Sequence, residues 1–207
     1  MPKLSGASVR RVYRLYAPFY DVLFGRFLDN GRAAMARAIA EDVRWILEVG
    51  VGTGLALEFY PKKSNIVGVD ISIDMLRCAG PRVARLRGSR EVQLVNADAE
   101  RLPFCDNSFD VITLPYVLSV TPNPSALLQE LRRVCRSGGQ ILILNHFKGA
   151  GVWSGLEAIL ASLAHRVGFD SGLAIEVLHS EDWIVDELRS VNLFGLSRLV
   201  VIRNEKP

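Results

Sequence analysis

The segment Glu48-Val49-Gly50-Val51-Gly52-Thr53-Gly54 constrains this chain more than any other. It follows Trp45–Gly50 (WILEVG), a short apolar run of the kind found in strands buried on both faces. Glycines placed directly after such a strand let the backbone turn tightly and approach a ligand closely. The spacing is Gly-x-Gly-x-Gly, with Glu48 two positions before the first glycine, whereas dinucleotide folds use Gly-x-Gly-x-x-Gly at this place. That combination suits a ligand with an amino-acid end and no pyrophosphate, Glu48 holding its ammonium directly or through water. A tight strand–helix turn without a ligand is the alternative.

Around this loop the pattern alternates. Strands are expected at Trp45–Gly50, Asn65–Asp70, Glu91–Asn96, Phe109–Leu114 and Gln140–Asn145, and helices near Gly54–Phe59, Ile73–Leu86 and Ser125–Val134. Ser72 is a plausible N-cap for the second helix, Ser125 lies near the start of the third, and Gly138-Gly139 supplies a sharp exit into the fifth strand. Strand, helix, strand in repetition specifies an α/β fold, a parallel sheet with helices on both faces. The order then changes to a helical stripe over Val152–Val167, a shorter helix over Leu173–Leu178, and two strand-like pieces, Asp182–Val191 and Leu196–Arg203, joined by an Asn192–Gly195 turn. This pair can close the sheet as an antiparallel edge. With no repeat or linker, 207 residues read as one domain: a helical arm over 1–40, a core over 44–147, and cap helices with the final strand pair over 148–207.

Two further acids extend the site. Asp70 ends the second strand, where a carboxylate can accept both hydroxyls of a ribose, although an Asp there also serves as a helix cap. Ile71, Met75 and Leu76 follow as apolar cover for an adenine ring, with Met75 equally suited to plain core. Asp98 can accept from an adenine amine while the Ala99 N–H donates to the ring; a solvent-facing loop acid is the alternative. Cys78, Cys105 and Cys135 are odd in number and lack a CxxC, arguing against a disulfide framework and a zinc site, so no metal is expected and a reducing cytoplasm is.

The order EVGVGTG, GVD, NADAE, LPFCDNSFDVI and RVCRSGGQILILNHF resembles the class I S-adenosylmethionine methyltransferases over residues 44 to 147. The resemblance implies a Rossmann-like, seven-stranded, mostly parallel sheet whose last strand is antiparallel, with S-adenosylmethionine as cofactor and Glu48, Gly50, Gly52, Gly54, Asp70, Ile71, Met75, Asp98, Ala99 and Leu114 around it. Outside the core, Tyr13-Arg14-Leu15-Tyr16-Ala17-Pro18-Phe19-Tyr20-Asp21 and Leu144-Asn145-His146-Phe147 are similar to the soluble bacterial phosphatidylethanolamine N-methyltransferases. That likeness implies a phospholipid substrate, methylated stepwise to phosphatidylcholine. The tyrosine element also occurs among quinone and small-molecule methyltransferases.

An amine acceptor attacks only when unprotonated, and its pKa of about 10, by analogy with lysine, demands a base or an apolar wall. His146, at the carboxyl edge of the sheet, is the candidate base, with Tyr16 and Tyr20 as further catalytic candidates. Tyr13, Tyr116 and Asn145 are candidate substrate contacts, since aromatic faces attract a quaternary ammonium. The tyrosines equally suit packing of the arm onto the core.

Residues 1–40 carry seven basic side chains against two acidic ones, on a chain of net charge +3. Arg10, Arg11 and Arg14 interrupt an apolar, aromatic series, which suits peripheral contact with an anionic membrane at the inner, cytoplasmic face; a solvated helix face docked on the core is the alternative. No apolar run approaches the ~20 residues that span a bilayer. The competing functions are a methyltransferase for a quinone or soluble molecule and a non-catalytic lipid-surface binder. A dehydrogenase fits the glycine spacing poorly. Nucleic-acid modification lacks its Asn-Pro-Pro-aromatic loop, Leu114-Pro115-Tyr116-Val117 standing in its place, so no nucleic-acid partner is expected. Oligomeric state is left open.

Overall fold

The computed structural model describes residues 28–145, 183–192 and 197–206. Its strands are β1 (Trp45–Val49), β2 (Asn65–Asp70), β3 (Val92–Asn96), β4 (Phe109–Pro115), β5 (Cys135–Asn145), β6 (Ile184–Val191) and β7 (Ser197–Asn204). Helix α1 runs over residues 28–37, α2 over Ile73–Leu86 and α3 over Pro124–Val134. The strands form one sheet in the order β3-β2-β1-β4-β5-β7-β6. Strands β1 to β5 pair in parallel, while β7 is antiparallel to both β5 and β6. The last strand is therefore antiparallel as expected, but it lies inside the sheet and β6 forms the edge.

Period-two alternation sends successive side chains to opposite faces and decides what surrounds the site. Leu47 and Val49 pack on one face with Leu127, Leu128, Leu131 and Val134 of α3. Each of those three leucines is completely buried, worth about 1.5–3 kcal/mol apiece, more than a helix of this length gains from local propensity. Ile46 packs on the other face with Leu28, Met35 and Ala36 of α1 and with Leu76 and Val83 of α2. Glu48 alternates onto this second face, beneath α1.

Two local expectations need correction. Residues Gly54–Phe59 form no helix; successive turns close Gly54 N–H onto Val51 O, Leu57 N–H onto Gly54 O and Phe59 N–H onto Ala56 O. The left-handed Gly54 (φ 82) and the nearby Pro61 leave too short a stretch to propagate a helix. Helix α3 starts where expected, with Ser125 in its first turn after Pro124, and its cap is Asn123, whose side chain accepts from Ala126 N–H. Strand β5 begins at Cys135, which pairs with Phe109, and Gly138-Gly139 sit within a register irregularity before Gln140 pairs with Val111. Ser72 caps α2 as expected, accepting from Met75 N–H at 3.4 Å.

The chain runs outward from β1 in both directions, to β2 and β3 on one side and to β4 and β5 on the other. This reversal opens a crevice at the carboxyl ends of the strands, where ligands of open α/β sheets bind.

Candidate active site

The glycine loop sits at that reversal. The N–H groups of Gly50 and Val51 both donate to the Val69 carbonyl, at 2.8 and 2.9 Å, fastening the end of β1 to the end of β2. Gly50, Gly52 and Gly54 all have positive φ, where a side chain is strained. Their surroundings differ. A Cβ on Gly50 would lie 2.1 Å from Val117 Cγ2, and one on Gly54 would lie 2.9 Å from Leu57 Cδ1, so both positions are closed by packing. At Gly52 the nearest atom would be Gly50 O at 4.0 Å, which leaves open space. Arg82 of α2 holds the loop from behind, donating to Thr53 O at 2.9 Å.

Glu48 is 1% exposed, and its Oε2 has no hydrogen-bond partner among the described residues. Burial pushes its carboxyl up to about 8, opposed by a hydrogen bond from the Tyr60 hydroxyl and by the charge of Arg32, and reinforced by Asp70. The Tyr60 hydroxyl, also buried, lies 2.8 Å from Thr113 Oγ1, and burial followed by the Glu48 charge raises its pKa as well. A buried carboxyl that borders a cleft and keeps one oxygen without a hydrogen bond is costly unless a donor completes it. An ammonium is such a donor.

Asp70 is organised by backbone. Its Oδ2 accepts from Gly52 N–H at 2.9 Å and its Oδ1 from Ser72 N–H at 2.8 Å; burial raises its pKa and these two bonds oppose the rise. Each oxygen keeps a lone pair, the requirement for accepting two vicinal hydroxyls. Asp98 is exposed, two residues past β3, with Oδ1 accepting from Glu100 N–H at 3.0 Å. Glu100 in turn accepts from Thr121 Oγ1 at 2.9 Å and Asn123 N–H at 2.7 Å, which ties this loop to the start of α3.

These groups converge on a cavity of about 280 Å³. Of the expected cofactor residues, Glu48, Gly50, Gly52, Asp70, Ile71, Met75, Asp98 and Ala99 line it. Gly54 and Leu76 stand behind the wall, and Leu114 does not line the cleft. Leu114 is fully buried in the core on the α3 face, and the next residue, Pro115, takes the wall position because alternation turns it to the opposite side. Asn145 is likewise fully buried and absent from the lining; its Oδ1 accepts from Ser119 Oγ at 3.2 Å, and its Nδ2 has no partner among the described residues. Tyr116 lines the cavity as expected, with φ 61, yet its hydroxyl is turned to the protein, accepting from Asn192 Nδ2 at 3.0 Å. His146, Tyr13, Tyr16 and Tyr20, together with Arg10, Arg11 and Arg14 and the two stretches expected as cap helices, lie outside the described residues.

Sequence reasoning missed Arg32, Tyr60 and Glu100. Arg32 belongs by sequence to the cationic stretch 1–40; it is 4% exposed, bonded to Asp29 at 3.0 Å, 5.7 Å above the Tyr116 ring, and part of the cavity wall. Its position in the sequence carries no signal, since only the docking of α1 over β1 brings it to Glu48.

The methyltransferase domain family matches residues 47–143 of the chain. A phosphatidylethanolamine N-methyltransferase of Cereibacter sphaeroides is 35% identical over 170 residues, 82% of this chain and 83% of that protein. A demethylmenaquinone methyltransferase of Roseiflexus sp. (strain RS-1) is 30% identical over 183 residues, covering 82% of this chain and 75% of the relative. Among solved structures, an S-adenosylmethionine-dependent methyltransferase from Aquifex aeolicus superposes with a TM-score of 0.63 over 97% of this chain and 99% of its own, at 18% identity. The [4+2]-cyclase SpnF reaches 0.76 over 100% and 99%, also at 18% identity. Likenesses this remote establish the fold, and the cyclase is a reminder that this fold hosts more than one chemistry.

Proposed function

Because the chain belongs to the class I S-adenosylmethionine-dependent methyltransferases, we propose that it methylates the amine of phosphatidylethanolamine and of its mono- and dimethyl forms, yielding phosphatidylcholine. The observation that carries this reading is the 35% identity to the Cereibacter sphaeroides enzyme, which extends over 82% of the chain and so reaches beyond the cofactor domain. The quinone methyltransferase relative supports a second reading, a quinone acceptor.

When bound, S-adenosylmethionine supplies an electrophilic methyl group on a sulfonium. The residues present fit it: the bare Glu48 oxygen answers its ammonium, the two Asp70 oxygens answer its ribose hydroxyls, and Ile71 and Met75 give its base an apolar wall. Open space at Gly52 leaves room for close approach to the backbone. Asp98 and Ala99 complete the base-binding end. The rest of catalysis is positioning and exclusion of water. For an amine acceptor one proton must leave first, and we assign its removal to His146, next in sequence to Asn145, with Tyr16 and Tyr20 receiving the head group alongside Tyr13 and Tyr116. The basic arm, through Arg10, Arg11 and Arg14, would hold the enzyme on an anionic bilayer. No helix among the described residues is long and apolar enough to cross a membrane.

The test is transfer of radiolabelled methyl into vesicles of phosphatidylethanolamine, with and without anionic lipid, beside the same assay on reduced demethylmenaquinone. Product in the vesicles, faster with anionic lipid and reduced at least tenfold by His146→Ala, is expected. Label entering only the quinol would transfer the assignment to the second reading.

A further inference from the structure

Asn192 directly follows β6 in a left-handed conformation, φ 65, and lies 76 residues beyond Tyr116 in the sequence. Its side-chain amide is held in one orientation by three hydrogen bonds. Oδ1 accepts from Gly31 N–H of α1 at 2.6 Å, while Nδ2 donates to the Tyr116 hydroxyl at 3.0 Å and to Ser197 Oγ at 2.7 Å. Because the Gly31 N–H can only donate, the amide cannot be flipped without losing that bond. Gly31 is a glycine for this junction: a Cβ there would lie 2.8 Å from both Asn192 Nδ2 and the Tyr116 hydroxyl. One amide thus joins α1, the end of β4 and the β6–β7 pair.

What it joins is the half of the cleft that the donor contacts leave open. Glu48, Asp70 and Asp98 stand at the ends of β1 and β2 and after β3, whereas Tyr116 and Val117 follow β4, with Arg32 of α1 over the Tyr116 ring. We propose that Asn192 is a positioning residue for the methyl acceptor: by gripping the Tyr116 hydroxyl and the α1 backbone, it fixes the ring that forms the acceptor wall. The inference rests on the methyltransferase assignment and not on which acceptor is used. Tyr116 needs such a hold, since a non-glycine residue at positive φ is strained and persists only where its surroundings over-determine it.

The experiment compares Asn192→Ala, Gly31→Ala, Tyr116→Phe and the double variant Asn192→Ala/Tyr116→Phe with the parent protein. Acceptor kinetics are measured at saturating S-adenosylmethionine on phosphatidylethanolamine vesicles and on reduced demethylmenaquinone. Binding of S-adenosylhomocysteine is followed by calorimetry. On whichever acceptor the parent methylates, Asn192→Ala and Gly31→Ala are expected to lower kcat/KM about tenfold while the calorimetric affinity stays within about twofold. Tyr116→Phe should lower it less, and the double variant should be no worse than Asn192→Ala. A parallel loss of S-adenosylhomocysteine affinity, or unchanged acceptor kinetics in Asn192→Ala, would overturn the proposal. Turnover of the quinol alone would sink the lipid reading and leave this one standing.

Discussion

Glu48 places a carboxyl where a charge is expensive, and its titration follows from that. Its ordinary pKa of 4.5 rises to about 8 in the folded protein, so between those values the native state binds the extra proton. Stability of the ligand-free protein should therefore fall as pH rises from about 5 to about 8, at up to about 1.4 kcal/mol per pH unit from this group. Glu48→Gln should flatten that slope in urea melts taken across the same range. An ammonium seated on Oε2 requires the carboxylate, so binding of S-adenosylhomocysteine at pH 7 should release close to one proton in the parent and almost none in Glu48→Gln. Calorimetry in buffers of different ionisation heat reads that number directly, and equal release in both proteins would remove Glu48 from the ammonium site. The glycines divide in the same way. Gly52→Ala adds only the left-handed strain of about 1–2 kcal/mol, because the space beside it is open. It should fold, melt a few degrees lower, and lose at least tenfold in S-adenosylhomocysteine affinity. Gly50→Ala drives a methyl to within 2.1 Å of Val117 and should instead lose the fold's stability outright. A Gly52→Ala protein that bound as tightly as the parent would show that the open space is not where the ligand lies.

Elements were legible in proportion to how local their causes are. The bounds of β2 and α2 follow from composition, alternation and the Ser72 cap, all contained within a few residues. Helix α2 even tolerates Pro81, since burial of Met75, Leu76, Ala79 and Val83 outweighs one missing hydrogen bond. By contrast, β5 starts early because Cys135 finds Phe109, and Arg32 enters the site because α1 lies across β1; neither partner is near in sequence. Tyr60 was illegible for the same reason: its meaning comes from Glu48 and Thr113, which a turn-rich connection brings to it. The loop after β3 shows how such contacts act as a unit. Arg133 of α3 binds both oxygens of Glu130, Asp106 Oδ1, and the carbonyls of Leu102 and Phe104, while Glu130 also accepts from Leu102 N–H. The Arg133 side chain is 31% exposed, so its ion pairs are screened and its grip on two carbonyls matters more. Arg133→Leu should cost about 2 kcal/mol and lower Tm by about 4–8 °C. It should also weaken S-adenosylhomocysteine binding several-fold, because the loop carrying Asp98 and Glu100 loses its anchor. An unchanged affinity beside a lowered Tm would confine Arg133 to the scaffold.

At the scale of the whole molecule, the cleft proposed for the methyl donor is built from neighbouring strand ends and the loops that follow them. Val69 carbonyl receives the start of the glycine loop, and Asp70 carbonyl receives Ala97 N–H at 3.2 Å, so β1, β2 and the loop after β3 meet around a single cleft. A ligand that touches all three must add its binding free energy to folding. At one hundred times its dissociation constant that addition is about 2.7 kcal/mol, or roughly 5–10 °C in Tm for a domain of this size. S-adenosylhomocysteine and NAD share an adenosine, and comparison of the two isolates what lies beyond it. Glu48 also lines this cleft, and its carboxyl can pair with an ammonium by giving up its proton but offers a pyrophosphate no counter-charge. S-adenosylhomocysteine should therefore shift Tm by that amount, adenosine by much less, and NAD by no more than adenosine. In Glu48→Gln the gap between S-adenosylhomocysteine and adenosine should shrink, since one amino-acid contact has been weakened while the ribose and base contacts are untouched. A thermal shift with NAD as large as with S-adenosylhomocysteine would mean that the acidic end of β1 does not select the ligand, and the chemical logic of the glycine loop would have to be rebuilt around phosphate.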